Sequence, residues 1–432
     1  MTPNKPKFSP LETMVLRNLQ INDCGENESL SIDILSILEE KQMRLLRRQI
    51  DYAKNNSRFF AEHLRSVDTS ELCSYKDLNK IPLMSADDIL QDGMAMACLP
   101  FSKIPRFTSI RSSGTQGPVK QLYFSDKDIE KTAVFFSYGV RSMTKDVQRA
   151  VIYLPGPTIG SIAQILSTGL NAVGIETMTF GAIKDFEAAK QAYLNFNADC
   201  AIGLPSQILQ LARTAPQLKP KSAFITADYI PQSLVNAISE AWHCEVLSHY
   251  GLSECGLGGG VECPDHSGYH MRHNDLLWEI IDPQTGQTLP YGEYGEVVFS
   301  TLNREAMPLI RYRTGDIACL TKEKCACGAL LPKLSYIKGR RQNTVFVNNE
   351  PITIQSLDEK IFSIAEVLDY QPVFKNDILQ FYVKTNSEDL SGIAEKIQSL
   401  FPCIKAEIYR GNGFYTRGTI KRKIIIEETK QQ

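Results

Sequence analysis

From residue 32 to 66 apolar positions recur three and four apart, opening with "IDILSILEEKQMRLLRRQIDYAKNN", and this spacing predicts amphipathic helix. Beyond it the pattern shortens. "RAVIYLPGP" (149–157) is a continuous apolar run closing on a Pro-Gly turn, the signature of a buried strand. "ADCAIGLPS" (198–206) repeats that form and leads into a helical "QILQLARTA". "KSAFITADYIP" (221–231) does so again ahead of the helical "QSLVNAISEAW", and "CEVLSHYG" (244–251) is a further strand. Unbroken apolar strands alternating with helices predict an α/β fold on a parallel sheet. Ligands of such sheets sit beyond the carboxyl ends of the strands. That places residues 155–160, 203–206, 226–229 and 249–256 where chemistry is expected.

After about residue 268 the texture changes. "LLWEIIDPQTGQTLPYGEYGEVVFSTL" reads as antiparallel strands punctuated by Asp-Pro and Thr-Gly turns. A β-rich block ends near "IKGR" (337–340). From there "TVFVNN", "IQSLDEKIFSI", "VLDYQPVF", "ILQFYVKT", a helix around 388–400 and "KAEIYR" alternate strand and helix. The expected organisation is a large domain over 1–337, with parallel and mixed sheets plus a β-rich subdomain, and a small α+β domain over 338–432.

Composition narrows the class. A chain of 432 residues, 43% hydrophobic and 22% charged, is an ordinary globular protein long enough for two or three domains. A formal net charge of −2 supplies no field for nucleic acid or an anionic membrane. No run approaches the ~18 apolar residues that span a bilayer, and "MTPNKPKFSP" lacks the apolar stretch of a signal peptide. A cytoplasmic location is therefore expected. There, 11 cysteines predict free thiols rather than a disulfide framework.

Four short motifs carry candidate chemistry. "RSSGTQGPVK" (111–120) sets hydroxyls and glycines between Arg111 and Lys120. Glycine lets the backbone approach a phosphate, and hydroxyls and successive N–H groups donate to its oxygens. The run is not a P-loop of the Walker type, because no Lys-Ser/Thr pair follows Gly117. "YGLSE" (250–254) ends a strand on a carboxylate suited to a hard cation such as Mg²⁺. In "YRTGD" (312–316) Asp316 follows a Thr-Gly turn and could accept two ribose hydroxyls. "IKGRRQN" (337–343) puts Arg340 after a glycine at the domain boundary. Taken singly, each is also what a polar loop, a solvated glutamate or a turn aspartate looks like.

Their order and spacing resemble the adenylate-forming superfamily of acyl- and aryl-CoA ligases. "EAMPLIRYRTGD" (305–316), "EIIDPQTGQTLPYGEYGEVVFSTL" (279–302) and "AKNNSRFFAEHL" (53–64) are similar to its phenylacetate–CoA ligase-like branch. The resemblance implies an ATP-dependent ligase that adenylates an aryl or apolar carboxylic acid, releases pyrophosphate and transfers the acyl group to CoA. It implies a phosphate grip by Ser112, Ser113, Gly114, Thr115 and Gly117, with Thr115 catalytic. Tyr250, Gly251, Ser253 and Glu254 would line the nucleotide, with Glu254 catalytic and on Mg²⁺. Ala227 and Asp228 of "TADY" would meet adenine, and Asp316 and Arg340 the ribose. Lys338 would be the hinge of a mobile small domain. The branch's catalytic lysine falls at Thr419 here, in "TRGTIKRKIII". Lys421, two residues on and on the same face of an extended strand, is the replacement expected. Other acceptors, an acyl-carrier-protein thiol or an amine, remain open, as do a homodimer and a degenerate relative that binds nucleotide without turnover. His249, before Tyr250, is either near the acyl pocket or a hydrogen-bonded strand-end residue.

"ECPDHSGYH" (262–270) and "CAC" (325–327) suggest a metal. Three cysteines and a histidine form a closed tetrahedral set for structural Zn²⁺. Cys263, Cys325 and Cys327 are the thiols. Resemblance to zinc-bearing members of the branch favours His270 as fourth ligand, while the tighter Cys-x2-His spacing favours His266.

Overall fold

The computed structural model describes residues 8–21, 30–111, 119–144, 146–156, 160–340, 344–347, 350–376, 378–402, 404–412 and 422–427. The chain forms two compact units. One comprises 1–145, 158–174 and 249–339; the other comprises 146–157, 175–248 and 340–432.

The second unit holds the parallel sheet. Strands Arg149–Tyr153, Cys200–Gly203, Ser222–Ile225 and Glu245–Tyr250 pair in that order, and Glu176–Thr179 flanks Arg149–Tyr153. Cys200–Gly203 and Ser222–Ile225 are buried at every position, as a sheet covered on both faces demands. Pro205 opens helix Pro205–Thr214, where its missing N–H costs nothing. Helix Gln232–Trp242 ends on His243 in the left-handed region, φ 53°. The carboxyl-terminal part follows the expected order. A hairpin, Thr344–Val347 with Glu350–Thr353, precedes helix Ile354–Ile361. Strands Asp369–Lys375 and Ile378–Lys384, helix Leu390–Leu400 and strand Ala406–Arg410 come after it.

Trp242, Leu211, Leu357, Phe362, Phe381 and Ile397 belong to one apolar core of this unit. Helix Gln232–Trp242 has no side-chain cap of its own. Glu359 supplies it, accepting from the N–H groups of Gln232 (2.7 Å) and Ser233 (3.0 Å). A carboxylate at a helix N-terminus meets both the orphan donors and the positive end of the dipole.

In the first unit the helix expected over 32–66 is two: Leu30–Asn56 and Arg58–His63. Ser57 divides them, its hydroxyl accepting from the Phe60 N–H at 3.3 Å, the N-cap geometry that a periodicity count does not see. Antiparallel strands Arg106–Arg111 and Val119–Phe124 bracket the hydroxyl/glycine loop. Ser125 and Asp128 form a capping box that starts helix Asp126–Met143. Strands Leu276–Ile281, Gly295–Thr301 and Tyr312–Ala318 form the expected antiparallel sheet. No helix among the described residues is long and apolar enough to cross a membrane.

Candidate active site

Residues 112–118 lie outside the described residues, so Ser112, Ser113, Gly114, Thr115 and Gly117 are not placed. The strand after the loop is placed. Lys120, on strand Val119–Phe124, forms a short ion pair with Glu254. The two side chains are 14% and 8% exposed, so the charges meet away from bulk water. Tyr312 donates its hydroxyl to the same carboxylate oxygen of Glu254 at 3.2 Å.

Glu254 sits in a tight loop after strand Glu245–Tyr250. Leu257 N–H returns to the Leu252 carbonyl at 2.9 Å, and Gly256 N–H to that of Ser253 at 3.1 Å. Gly251 is required here, because a Cβ would collide with the Leu257 carbonyl. Ser253 lies partly buried in this loop.

Asp316 lies in strand Tyr312–Ala318 rather than after a free turn. The pairing shifts between Glu296 and Val298, a β-bulge, with Gly315 at φ 77°. Gly315 N–H binds the Glu296 carboxylate at 3.1 Å. A bulge re-aims the side chains beside it, and Asp316 accepts the Tyr250 hydroxyl at 3.0 Å. Burial, with the Asp316 charge, pushes the Tyr250 phenol well above its usual range, so it stays a donor. His249 packs against Phe135 and Phe136, ring centroids 5.9 and 5.6 Å away. Burial drops its pKa to about 4, so it is neutral at physiological pH.

In the second unit, "TADY" follows strand Ser222–Ile225. Ala227 adopts φ 73°, a left-handed conformation uncommon for alanine. Asp228 accepts from the Tyr229 N–H (2.9 Å) and the Arg422 N–H (3.1 Å), and burial raises its pKa to about 6. Lys421 lies outside the described residues, and Arg340 is described by its main chain only. Lys338 precedes the boundary between the units; its ammonium stands 3.4 Å over the Tyr294 ring.

Cys263, His270, Cys325 and Cys327 converge, their ligand atoms all within 4.8 Å of one another. Cys263 and Cys325 sulfurs are 3.7 Å apart, and Cys327 Sγ is 3.4 Å from His270 Nε2. Gly328, at φ 96°, makes the knuckle that returns Gly328 N–H to the Cys325 carbonyl at 2.9 Å. Hydrogen bonds from Cys263 and His270 draw the Cys327 thiol below its usual range. His266 instead bonds Glu262 through Nδ1 at 2.9 Å. Beside the knuckle, buried Glu12 takes the N–H groups of Leu330 and Leu331, each at 2.7 Å.

No family model matches the sequence. The chain is 27% identical to a phenylacetate–coenzyme A ligase of Thermus thermophilus over 373 residues, 82% of this chain and 81% of that one. It is 24% identical to a phenylacetate–coenzyme A ligase of Pseudomonas putida, with 84% of each chain covered. Over about four-fifths of its length the chain is similar to phenylacetate–CoA ligases. The fold agrees. A crystal structure of 2-hydroxyisobutyryl-CoA ligase in the postadenylation state superposes with TM-score 0.76 at 17% identity, covering 91% of this chain and 90% of that one.

Three further side chains contact the candidate residues through links that sequence spacing does not encode. Lys120 is separated from Gly117 by Pro118 and Val119, which hides its link to Glu254. Tyr312 opens "YRTGD", but nothing in the spacing says that its hydroxyl reaches a loop 58 residues earlier. Arg304 precedes the recognisable "EAMPLIRYRTGD" and touches the Glu254 loop.

Proposed function

We propose that this chain is an AMP-forming acid:CoA ligase acting on an aryl or apolar carboxylic acid. The observation that carries the reading is the largely buried contact of Lys120, which follows the hydroxyl/glycine run in sequence, with Glu254, whose carboxylate Tyr312 also meets. The relatedness to phenylacetate–CoA ligases over about four-fifths of the chain supports it.

In the first half-reaction a carboxylate oxygen attacks the α-phosphorus of ATP, and the bond to pyrophosphate breaks. Attack of anion on anion is slow for electrostatic reasons, so the protein's contribution is charge neutralisation and alignment. The loop over Ser112–Gly117 would grip the leaving pyrophosphate, and Lys120 at its end supplies positive charge. Glu254 suits a hard cation bound through one carboxylate and phosphate oxygens. Mg²⁺ held there would lower the negative charge of the triphosphate. Asp316, which accepts the Tyr250 hydroxyl, would accept the ribose hydroxyls. Lys421 is the lysine we assign to the carboxylate–phosphate contact, and 338–432 the domain that brings it. In the second half-reaction the CoA sulfur attacks the acyl carbon and AMP leaves.

Acid-dependent ATP–pyrophosphate exchange tests this reading, with a panel of aryl, fatty and dicarboxylic acids. Exchange with an aryl or apolar acid, followed by thioester formation with CoA, is expected. Exchange that loads only a carrier protein would replace the acceptor. Absence of exchange with every acid, in folded protein, would reject the ligase.

The Cys₃His set fits a structural zinc. Its donors are soft or borderline, four in number and leave no open position. The ion would tie segment 263–270 to segment 325–327. Protein purified without chelator should carry about one zinc per chain. Cys327→Ser should lose it and melt at lower temperature, whereas His266→Ala should keep it. Zinc-free wild-type protein by elemental analysis would remove the site.

A further inference from the structure

We propose that Arg304 is a positioning residue for adenylation, holding the main chain of Glu254 so that its carboxylate is aimed at the metal–phosphate group. The role rests on the nucleotide function proposed above for Glu254. Arg304 Nη1 donates to the Glu254 carbonyl at 2.6 Å. The loop's own turns engage the carbonyls of Leu252 and Ser253, and Arg304 adds a contact to the next peptide. The guanidinium also stands 5.3 Å from the centre of the Phe124 ring, on the strand that carries Lys120. One side chain thus touches both strand Val119–Phe124 and the loop whose carboxylate pairs with Lys120.

The seat of the guanidinium is built from both sides. On the loop side, Gly256 has φ 85°, and a Cβ there would come 2.7 Å from Arg304 Nη2. Thr132, on helix Asp126–Met143, holds the Gly256 carbonyl at 2.9 Å. On its own side, Arg304 is clamped by Gln49, which accepts its N–H at 2.7 Å and donates to its carbonyl at 3.0 Å. The next two N–H groups, of Glu305 and Ala306, both bind the Asp128 carboxylate, at 3.0 and 3.1 Å. A charged donor on so fixed a base behaves as a strut. Its hydrogen bond to a neutral carbonyl is charge-assisted, stronger than an amide would give. Displacing a reacting or positioning group by about 1 Å can cost roughly 100-fold in rate.

The test compares Arg304→Met and Arg304→Lys with wild type in acid-dependent ATP–pyrophosphate exchange, titrating Mg²⁺ at saturating ATP and acid. Arg304→Met should lower kcat about 100-fold and raise the Mg²⁺ needed for half-maximal rate at least tenfold, with the KM for the acid within twofold of wild type. Arg304→Lys should recover part of both, because one N–H donor is retained. A Met variant with wild-type kcat and Mg²⁺ dependence overturns the proposal. So does one whose activity falls only in proportion to folded protein, with Mg²⁺ dependence unchanged. If the Met variant does not fold, the Lys variant decides: a shift in Mg²⁺ dependence supports the role and none overturns it. Wild-type protein silent with every acid would reject the ligase reading and this role with it. An active wild type with an indifferent Arg304 would reject this role alone.

Discussion

Glu254→Gln is expected to cut acid-dependent pyrophosphate exchange by about 10²–10³-fold at saturating ATP, the loss typical of removing one electrostatic contact to a developing charge. The substitution keeps the shape and an acceptor oxygen for Tyr312, so the hydrogen bond of that hydroxyl can persist. It removes the negative charge opposite Lys120 and the anionic ligand for a cation. The lysine would be left partly buried without its partner, which carries a folding cost of a few kcal/mol in addition to the catalytic one. The two effects separate experimentally. Glu254→Asp keeps the charge but withdraws it by one methylene; it should fold near wild type and demand more Mg²⁺. Pairing Glu254→Gln with Lys120→Met should restore thermal stability and leave exchange low, because the buried charge is gone and the chemistry is not recovered. Exchange by Glu254→Gln within threefold of wild type would show that this carboxylate has no part in the reaction.

Much of the fold is legible because its elements obey local rules. Helix Gln232–Trp242 coincides with "QSLVNAISEAW", and the strands before and after it lie inside "KSAFITADYIP" and "CEVLSHYG". Their apolar positions cluster in short runs, and the punctuation is proline, glycine and a left-handed terminus. The helix over 32–66 reads as continuous because its period crosses Ser57 without a fault; the division is made by a hydroxyl, not by a change of face. The candidate acids stand within short motifs, whereas the contacts that the described cations make with them do not follow from local spacing. Glu254 and Asp316 stand in compact motifs that gain meaning from their order and spacing along the chain. Lys120 and Arg304 act through contacts 134 and 50 residues away in sequence, and no local spacing encodes those. The bulge that aims Asp316 reads as a turn because Thr-Gly-Asp serves both, and only the register with Glu296 and Val298 distinguishes them. In the cysteine set, sequence leaves His266 and His270 in competition. The antiparallel partner of His270, Val261, fixes its place on strand Tyr269–Met271, while His266 falls in the turn before it and turns to Glu262.

Arg422→Met should destabilise the second unit by about 3–5 kcal/mol, the cost of breaking a buried ion pair by removing one partner. Arg422 is 4% exposed in its side chain, and its partners Asp358 and Asp369 are 1% and 5% exposed. Nε meets Asp358 at 3.1 Å, Nη1 meets Asp369 at 2.6 Å, and Nη2 donates to the Tyr370 carbonyl at 2.9 Å. The guanidinium carbon lies 4.6 Å from the Tyr370 ring centre and 4.9 Å from that of Phe362. Two acids share one base in a dry core, and burial already holds the Asp358 carboxyl above its usual range. Without the arginine the Asp358 carboxyl would be pushed up further, since its nearest compensating charge would be gone. A carboxyl whose pKa is higher folded than unfolded binds more protons when folded, so its burial is tolerated at low pH and opposed as pH rises. The variant should therefore be closest to wild type near pH 4–5 and lose ground toward neutrality, as measured by urea midpoints. Adding Asp358→Asn and Asp369→Asn should return much of the loss at neutral pH, since the uncompensated charge would then be absent. A variant equally destabilised at pH 5 and pH 8 would mean that Arg422 matters through packing on Phe362 and Tyr370 rather than through charge. The consequence reaches the reaction, because the Arg422 N–H also binds Asp228 of the loop assigned to adenine. Melting this anchor should slow adenylation even where most of the protein stays folded, and the triple variant should recover stability before it recovers rate.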